Sequence, residues 1–377
     1  MMTKTYEPLF ETVQLPNGTA LRNRFVLAPL THISSNADGT VSEAEIEYLR
    51  KRSKDVGLAL TAASNVTGLG KAFPGQPSIA RDSDIAGMSR LAEAMKAGGA
   101  KAILQIHHGG AQALPELTPE GDAAAPSAIT MQSFNEKEPH DAREITPDEI
   151  ESTIKAFGEA TRRAVEAGFD GVEIHGANHY IIHQFVSPHF NRRTDQWGED
   201  RYRFPLAVVD EVIQAAKEHG SEDFIVGYRF SPEEPADPGI DMEITKTLIQ
   251  KLITKPLDYL HASLFDVHST VRTGKYEGMR RIDLLHEWID GRMPLIGIGS
   301  IFEADQAADA IKTGRVDLLG LGRVLLLDHE FVHKIAHGKE DQITNVFDPD
   351  RADMHDLPEP LWQQLKKGFY PVPRKDQ

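Results

Sequence analysis

Short apolar runs rich in Val, Ile and Leu recur along the chain, and each gives way to a stretch of helical spacing with acidic residues near its start. This is the pattern of alternating strands and helices. Eight runs read as strands, at 24–30, 56–63, 101–108, 169–176, 224–230, 257–264, 294–300 and 316–323. Eight is the number that closes a parallel barrel, and strands apolar on both faces suit a sheet covered by helices rather than by water. Ser42 with Glu45, and Thr146 with Pro147 and Glu149, have the spacing of helix starts. Gly168 and Gly314 stand where helices end, just before the fourth and eighth strands.

Three stretches break the alternation. Residues 12–23 carry Asn17-Gly18 between short extended runs, a two-residue hairpin signal placed to plug the bottom of a barrel. Residues 109–145 are too long for a simple loop and should cover the top face. Residues 338–377 form a C-terminal extension interrupted by Pro358, Pro360, Pro371 and Pro373. The fold expected is α/β, a (β/α)8 TIM barrel at about 22–337 in a single domain, 1–377, with the N-terminal hairpin, the long insertion after strand 3 and the extension. An open doubly wound sheet is the competitor, but no G-x-G-x-x-G follows the first strand. The glycines gather instead at the ends of the last two, as Gly297, Gly299, Gly320 and Gly322, where such barrels commonly bind phosphate.

Composition narrows the chemistry. Among 377 residues there is no cysteine, which excludes disulfides, thiolate zinc, iron–sulfur clusters and a cysteine nucleophile. With 41 Lys plus Arg against 57 Asp plus Glu, the net charge is −16, and no basic run argues for nucleic acid or an anionic membrane. Without an 18-residue apolar stretch, a signal peptide or an Arg-rich presequence, the expected location is the cytoplasm.

Function in a barrel sits at the C-terminal ends of the strands. Those positions hold Thr31, Ala63, Gln105 with His107 and His108, His175, Arg229, His261, Gly299 with Ser300, and Gly322 with Arg323. A polar ring almost free of carboxylates suits an anionic heteroaromatic ligand better than a metal. His175 and Asn178 offer two donors able to converge on one oxygen, and Tyr180 adds a phenol as a proton source. Each taken singly also fits a buried residue satisfying its neighbours. His175, His179 and His183 are spaced four apart, yet a strand end at His175 breaks that helical geometry, and no metal is expected. Arg229 in the interior needs an anion or an electron-rich acceptor, or else a structural carboxylate. Gln105 matches an imide edge or is simply solvated, and Arg323 beside Gly322 matches a terminal phosphate.

The runs RNRFVLAPLT at 22–31, QIHHGG at 105–110, HGANHYIIHQFVSP at 175–188, NRRTDQWG at 191–198 and LLGLGRVLL at 318–326 resemble the Old Yellow Enzyme family of FMN-dependent ene-reductases and NADH:flavin oxidoreductases, over about 6–337. The resemblance implies that Ala28, Pro29, Leu30 and Thr31 line the flavin ring, that Ala63 and Gln105 meet its pyrimidine edge, and that Arg229 faces its N1/C2-carbonyl side. Gly299, Ser300, Gly322 and Arg323 would hold the FMN phosphate. It further implies ping-pong hydride transfer from NADH or NADPH to FMN N5 and then to the β-carbon of an activated alkene. His175 and Asn178 would bind the acceptor oxygen, and Tyr180 would protonate the α-carbon. Expected partners are a small enone, quinone or similar acceptor, neither nucleic acid nor membrane, in a chain compatible with a homo-oligomer. Alternatives are a phosphate-binding barrel lyase or isomerase, which needs a strand-end Lys or carboxylate, and a catalytically silent flavin-binding barrel. Five positions depart from the family pattern: Glu199 in place of a second glycine, the basic and bulky pair His107 and His108, Ile33 where a subgroup has tyrosine, and Thr31 where a subgroup has cysteine. The loop 266–279, with Arg272 and Lys275, is a candidate for reading the nicotinamide nucleotide.

Overall fold

A computed structural model describes residues 2–134 and 138–375. All eight anticipated strands are present: β1 (Phe25–Leu27), β2 (Leu58–Leu60), β3 (Lys101–His107), β4 (Gly171–Gly176), β5 (Ile225–Phe230), β6 (Tyr259–Ala262), β7 (Leu295–Ile298) and β8 (Leu318–Leu321). Each pairs in parallel with the next, β8 pairs with β1, and β3 with β4, so the sheet closes into a (β/α)8 barrel. β1 is shorter than its apolar run because Pro29 has no N–H to give the ladder. The chain beyond Leu27 is thereby released to line the site.

The crossover helices are α1 (Glu43–Ser53), α2 (Ile85–Lys96), α3 (Pro147–Glu166), α4 (Arg203–His219), α5 (Met242–Leu252), α6 (Arg281–Ile289) and α7 (Ala304–Lys312). Ser42 caps α1 by accepting the Glu45 N–H, and Thr146 with Glu149 forms a full capping box on α3 with Pro147 at its first position. Gly168 and Gly314 follow α3 and α7 with φ of 80° and 65°, as left-handed caps require.

The hairpin Val13–Gln14 with Ala20–Leu21 closes the bottom. Val13, Leu15 and Leu21 join Val26, Leu60, Ile103, Tyr259 and Leu318 in one apolar cluster inside the barrel. Its turn is longer than the Asn-Gly pair predicts. The Gly18 N–H donates to the Leu15 carbonyl and the Leu15 N–H to the Thr19 carbonyl, both at 2.9 Å, so Pro16 is part of the loop. Asn17 then anchors the plug by donating its backbone N–H to Asp258 at 3.1 Å.

The insertion after β3 is a small sheet in which His140–Glu144 pairs with Ala123–Ala125 and Ile129–Met131. Arg193 ties it down, donating to the Pro126 and Ile145 carbonyls at 2.9 and 2.8 Å and pairing with Asp195 at 2.6 Å. That explains the N-x-R-x-D spacing. Glu199 lies exposed at the end of the helical turn Gln196–Glu199 that Asp195 caps, a backbone that needs no second glycine.

The extension folds back onto the barrel. The guanidinium of Arg52, fully buried on α1, donates to the carbonyls of Leu325, His355 and Asp356 at 2.9–3.1 Å. The Tyr370 hydroxyl reaches the top face, where it donates to the Thr31 carbonyl at 2.9 Å. No helix among the described residues is long and apolar enough to cross a membrane.

Candidate active site

Two cavities meet at the C-terminal mouth of the barrel. The larger, about 670 Å³, takes in Pro29, Leu30, Thr31, Ala63, Gln105, His175, Asn178, Tyr180 and Arg229 from the anticipated set. The smaller, about 190 Å³, takes in Gly299, Ser300, Gly322 and Arg323. Pro29, Leu30, Arg229 and Tyr370 border both, so the two form one elongated site. Ala28 borders neither. Its N–H continues the ladder to the Leu321 carbonyl at 3.0 Å, which leaves it behind the lining.

Hydrogen bonds aim the polar groups of the larger chamber. His175 accepts the Ala177 N–H on Nδ1 at 3.3 Å, leaving Nε2 as its donor. Asn178 accepts on Oδ1 from Ser263 at 2.9 Å and Ser231 at 3.3 Å, which leaves its amide N–H groups free. Ser263 in turn accepts from Arg229 at 3.2 Å, so Arg229, Ser263 and Asn178 form one chain. Tyr180 stands edge-on to His107 and His175, with ring centroids 4.2 and 5.1 Å away. Burial, reinforced by His107 and Arg229, holds the His175 imidazolium far out of reach, so the ring stays neutral. Burial pushes the Tyr180 phenol up to about 12, so it keeps its proton.

The pair His107 and His108 is bulky but not basic. Burial lowers both, His108 to about 4, and neutral His107 shares Nδ1 with Gln76 at 3.0 Å. Gln76 also donates to the Ala63 carbonyl at 3.0 Å. Gln105 gives its amide N–H to Glu173 at 2.7 Å, leaving its oxygen for a ligand N–H. Burial alone raises the Glu173 carboxyl, but His261 and Arg229 outweigh it and hold it below the usual range. It is therefore a locked carboxylate rather than a free base. Arg229 is buried, and its Nε has no hydrogen-bond partner among the described residues. A buried cation with one N–H left over in this way fits the electron-rich side of a flavin.

At the other end Arg323 donates to the Pro371 and Phe265 carbonyls, both at 2.9 Å, and lies 4.3 Å over the Phe265 ring. Ser300 also donates to the Phe265 carbonyl at 3.1 Å. This end is a backbone cradle with one seated cation, which fits a phosphate.

Several lining residues were not legible in the sequence: Phe134 from the insertion, Ser231 and Glu233 after β5, and Phe369 and Tyr370 from the extension. Ile33 borders neither cavity, and the aromatic ring beside Thr31 comes from Tyr370 instead. Arg272 lines the rim, whereas Lys275 turns toward Glu243 at 4.0 Å.

The sequence model of the NADH:flavin oxidoreductase / NADH oxidase family matches residues 8–342. The chain is 50% identical, over the whole of both chains, to the probable NADH-dependent flavin oxidoreductase YqiG of Bacillus subtilis (strain 168). It is 38% identical to the NADH:fumarate oxidoreductase of Klebsiella pneumoniae (strain 342) across 95% of its own length but only 39% of that protein. Among solved structures it resembles morphinone reductase in complex with tetrahydroNAD, with a TM-score of 0.74, 29% identity and coverage of 88% and 91% of the two chains.

Proposed function

Because the chain belongs to the NADH:flavin oxidoreductase / NADH oxidase family, the Old Yellow Enzyme family, and is an FMN-dependent oxidoreductase driven by NADH or NADPH, we propose that it reduces an activated alkene in its second half-reaction. The observation that carries this reading is the convergence of the free His175 and Asn178 donors and the protonated Tyr180 phenol on one chamber beside Arg229. Fumarate reduction is named for a relative of which this chain spans about two fifths, so the acceptor is inferred from the chamber alone.

Bound FMN supplies hydride-level redox chemistry between the nucleotide and the acceptor. Arg229 and the Gln105 oxygen would meet its pyrimidine side, Pro29, Leu30 and Thr31 its ring, and Gly299, Ser300, Gly322 and Arg323 its phosphate. His175 and Asn178 hold the acceptor's carbonyl oxygen and draw charge toward it, each such bond strengthening as negative charge develops there. Tyr180 then gives its proton to the α-carbon. Residues 338–375 act with the barrel as one FMN-binding unit, since Tyr370 and the Pro371 carbonyl both belong to the site.

The test is Tyr180→Phe, followed by rapid mixing. Flavin reduction by nicotinamide should stay within about twofold, while reoxidation by 2-cyclohexenone slows by about 100-fold or more. Equal loss in both half-reactions would remove Tyr180 from the proton step.

A further inference from the structure

His175 lies in β4 (Gly171–Gly176), and the strand end removes it from the histidine series, as expected, but the fold substitutes another ligand. The His179 and His183 rings lie 4.8 Å apart, centroid to centroid, and Glu234, 51 residues beyond His183, comes up against both. Its Oε2 is 2.9 Å from His183 Nε2 and 3.6 Å from His179 Nε2, and one donor atom from each residue lies within 4.8 Å of the other two. A tetrahedral zinc ion sets its ligands about 3.3 Å apart, so only small side-chain movements separate this cluster from a coordination shell.

Three features mark a built site. Ser187 and the Ile240 N–H, the latter at 2.7 Å, both bond Oε1 of Glu234, which fixes the carboxylate and leaves Oε2 for the imidazoles. His183 and Glu234 are fully buried, whereas the His179 side chain is 28% exposed and lines the large chamber. Asn178 and His179 are consecutive non-glycine residues in the left-handed region, at φ of 58° and 60°, a conformation kept only where the surroundings impose it.

We propose that His179, His183 and Glu234 form a mononuclear site for Zn²⁺ or a similar borderline divalent cation on the rim of the acceptor chamber. Two imidazoles and a carboxylate are a catalytic-type zinc donor set, which keeps one position open. That position faces the chamber, because His179 is the ligand that borders it. Water, or an oxygen of a bound acceptor, completes the shell. This inference does not depend on the alkene-reductase reading.

The FMN-loaded protein, freed of metal by a chelator, is titrated with ZnCl₂ by calorimetry and with CoCl₂ by visible spectroscopy. One ion per chain and an intense four-coordinate Co²⁺ band are expected. His179→Gly removes a ligand and suits the left-handed backbone, so its metal-free melting temperature should not fall, while Zn²⁺ affinity drops at least about tenfold. Glu234→Gln, if it folds, should behave likewise. The pair of half-buried His333 and exposed His337, stacked at 4.1 Å, is where a stray ion would go, and His333→Ala should leave the titration unchanged. Absence of saturable binding, equal affinity in His179→Gly, or loss of binding in His333→Ala would each overturn the proposal.

Discussion

The two ends of the elongated cavity are built from different materials. At the acceptor end, side chains do the binding: burial keeps the His175 ring and the Tyr180 phenol neutral, and Ser231 and Ser263 turn the Asn178 amide. At the phosphate end, backbone sets the shape: Gly299 and Gly322 open the space, and Arg323 is seated on main-chain carbonyls. An end that binds through side chains tolerates truncation without losing its walls. One made of backbone fails when a single carbon is added.

Gly299→Ala should therefore have the largest effect. The residue has φ of 123°, and a Cβ there would lie 2.5 Å from the Phe265 carbonyl, the group on which Arg323 and Ser300 both rest. FMN affinity should fall by about 100-fold or more, near 3 kcal/mol, and the purified protein should be largely colourless. Stoichiometric flavin in the variant would mean that the cradle adapts and the contrast between the two ends is wrong.

His175→Ala combined with Asn178→Ala tests the other end. The walls stay, so flavin content should hold, but the long-wavelength absorbance produced by a para-substituted phenol should vanish and enone turnover should drop by about 100-fold. An unchanged phenol titration would place the oxyanion site elsewhere in the chamber.

Which parts were legible follows from the same contrast. The strands declared themselves by repeated apolar runs, and His175, Asn178 and Tyr180 were found because they are contiguous at one strand end. The groups that orient them are not. Ser263 lies 85 residues from Asn178, and Tyr370 lies 339 from Thr31. They arrive through docking of loops and an extension that carry no period. The His107–His108 pair was misread as basic because sequence shows the residue type but not the burial that keeps it neutral.

Tyr370→Phe should have a smaller effect than either. It removes one hydrogen bond, to the Thr31 carbonyl, and leaves the ring in place. The cost is about 1 kcal/mol, seen as a melting temperature a few degrees lower, with enone kinetics altered severalfold as the Thr31 segment loosens. Wild-type stability would mean that packing of the Arg52 side chain against the extension, and not this hydroxyl, holds the strap down.

The smallest expected effect is on pH, and it is the sharpest check on neutrality at the acceptor end. His175 is held well below its ordinary value by burial, then by His107 and Arg229, and Tyr180 is raised to about 12 by burial. Neither titrates between pH 6.5 and 9, so enone-driven reoxidation should vary by less than about twofold across that range. Stability carries the matching signs. Below about 6.5 the unfolded chain takes up the His175 proton that the folded one refuses, so stability falls as pH drops from there toward the depressed folded value. Above about 10 the unfolded tyrosine ionises before the folded one, and stability falls again. Rapid mixing and thermal melts over the same buffers separate the two effects. A rate that follows a group titrating near neutrality would show that a charged imidazole, and not a neutral donor, meets the acceptor.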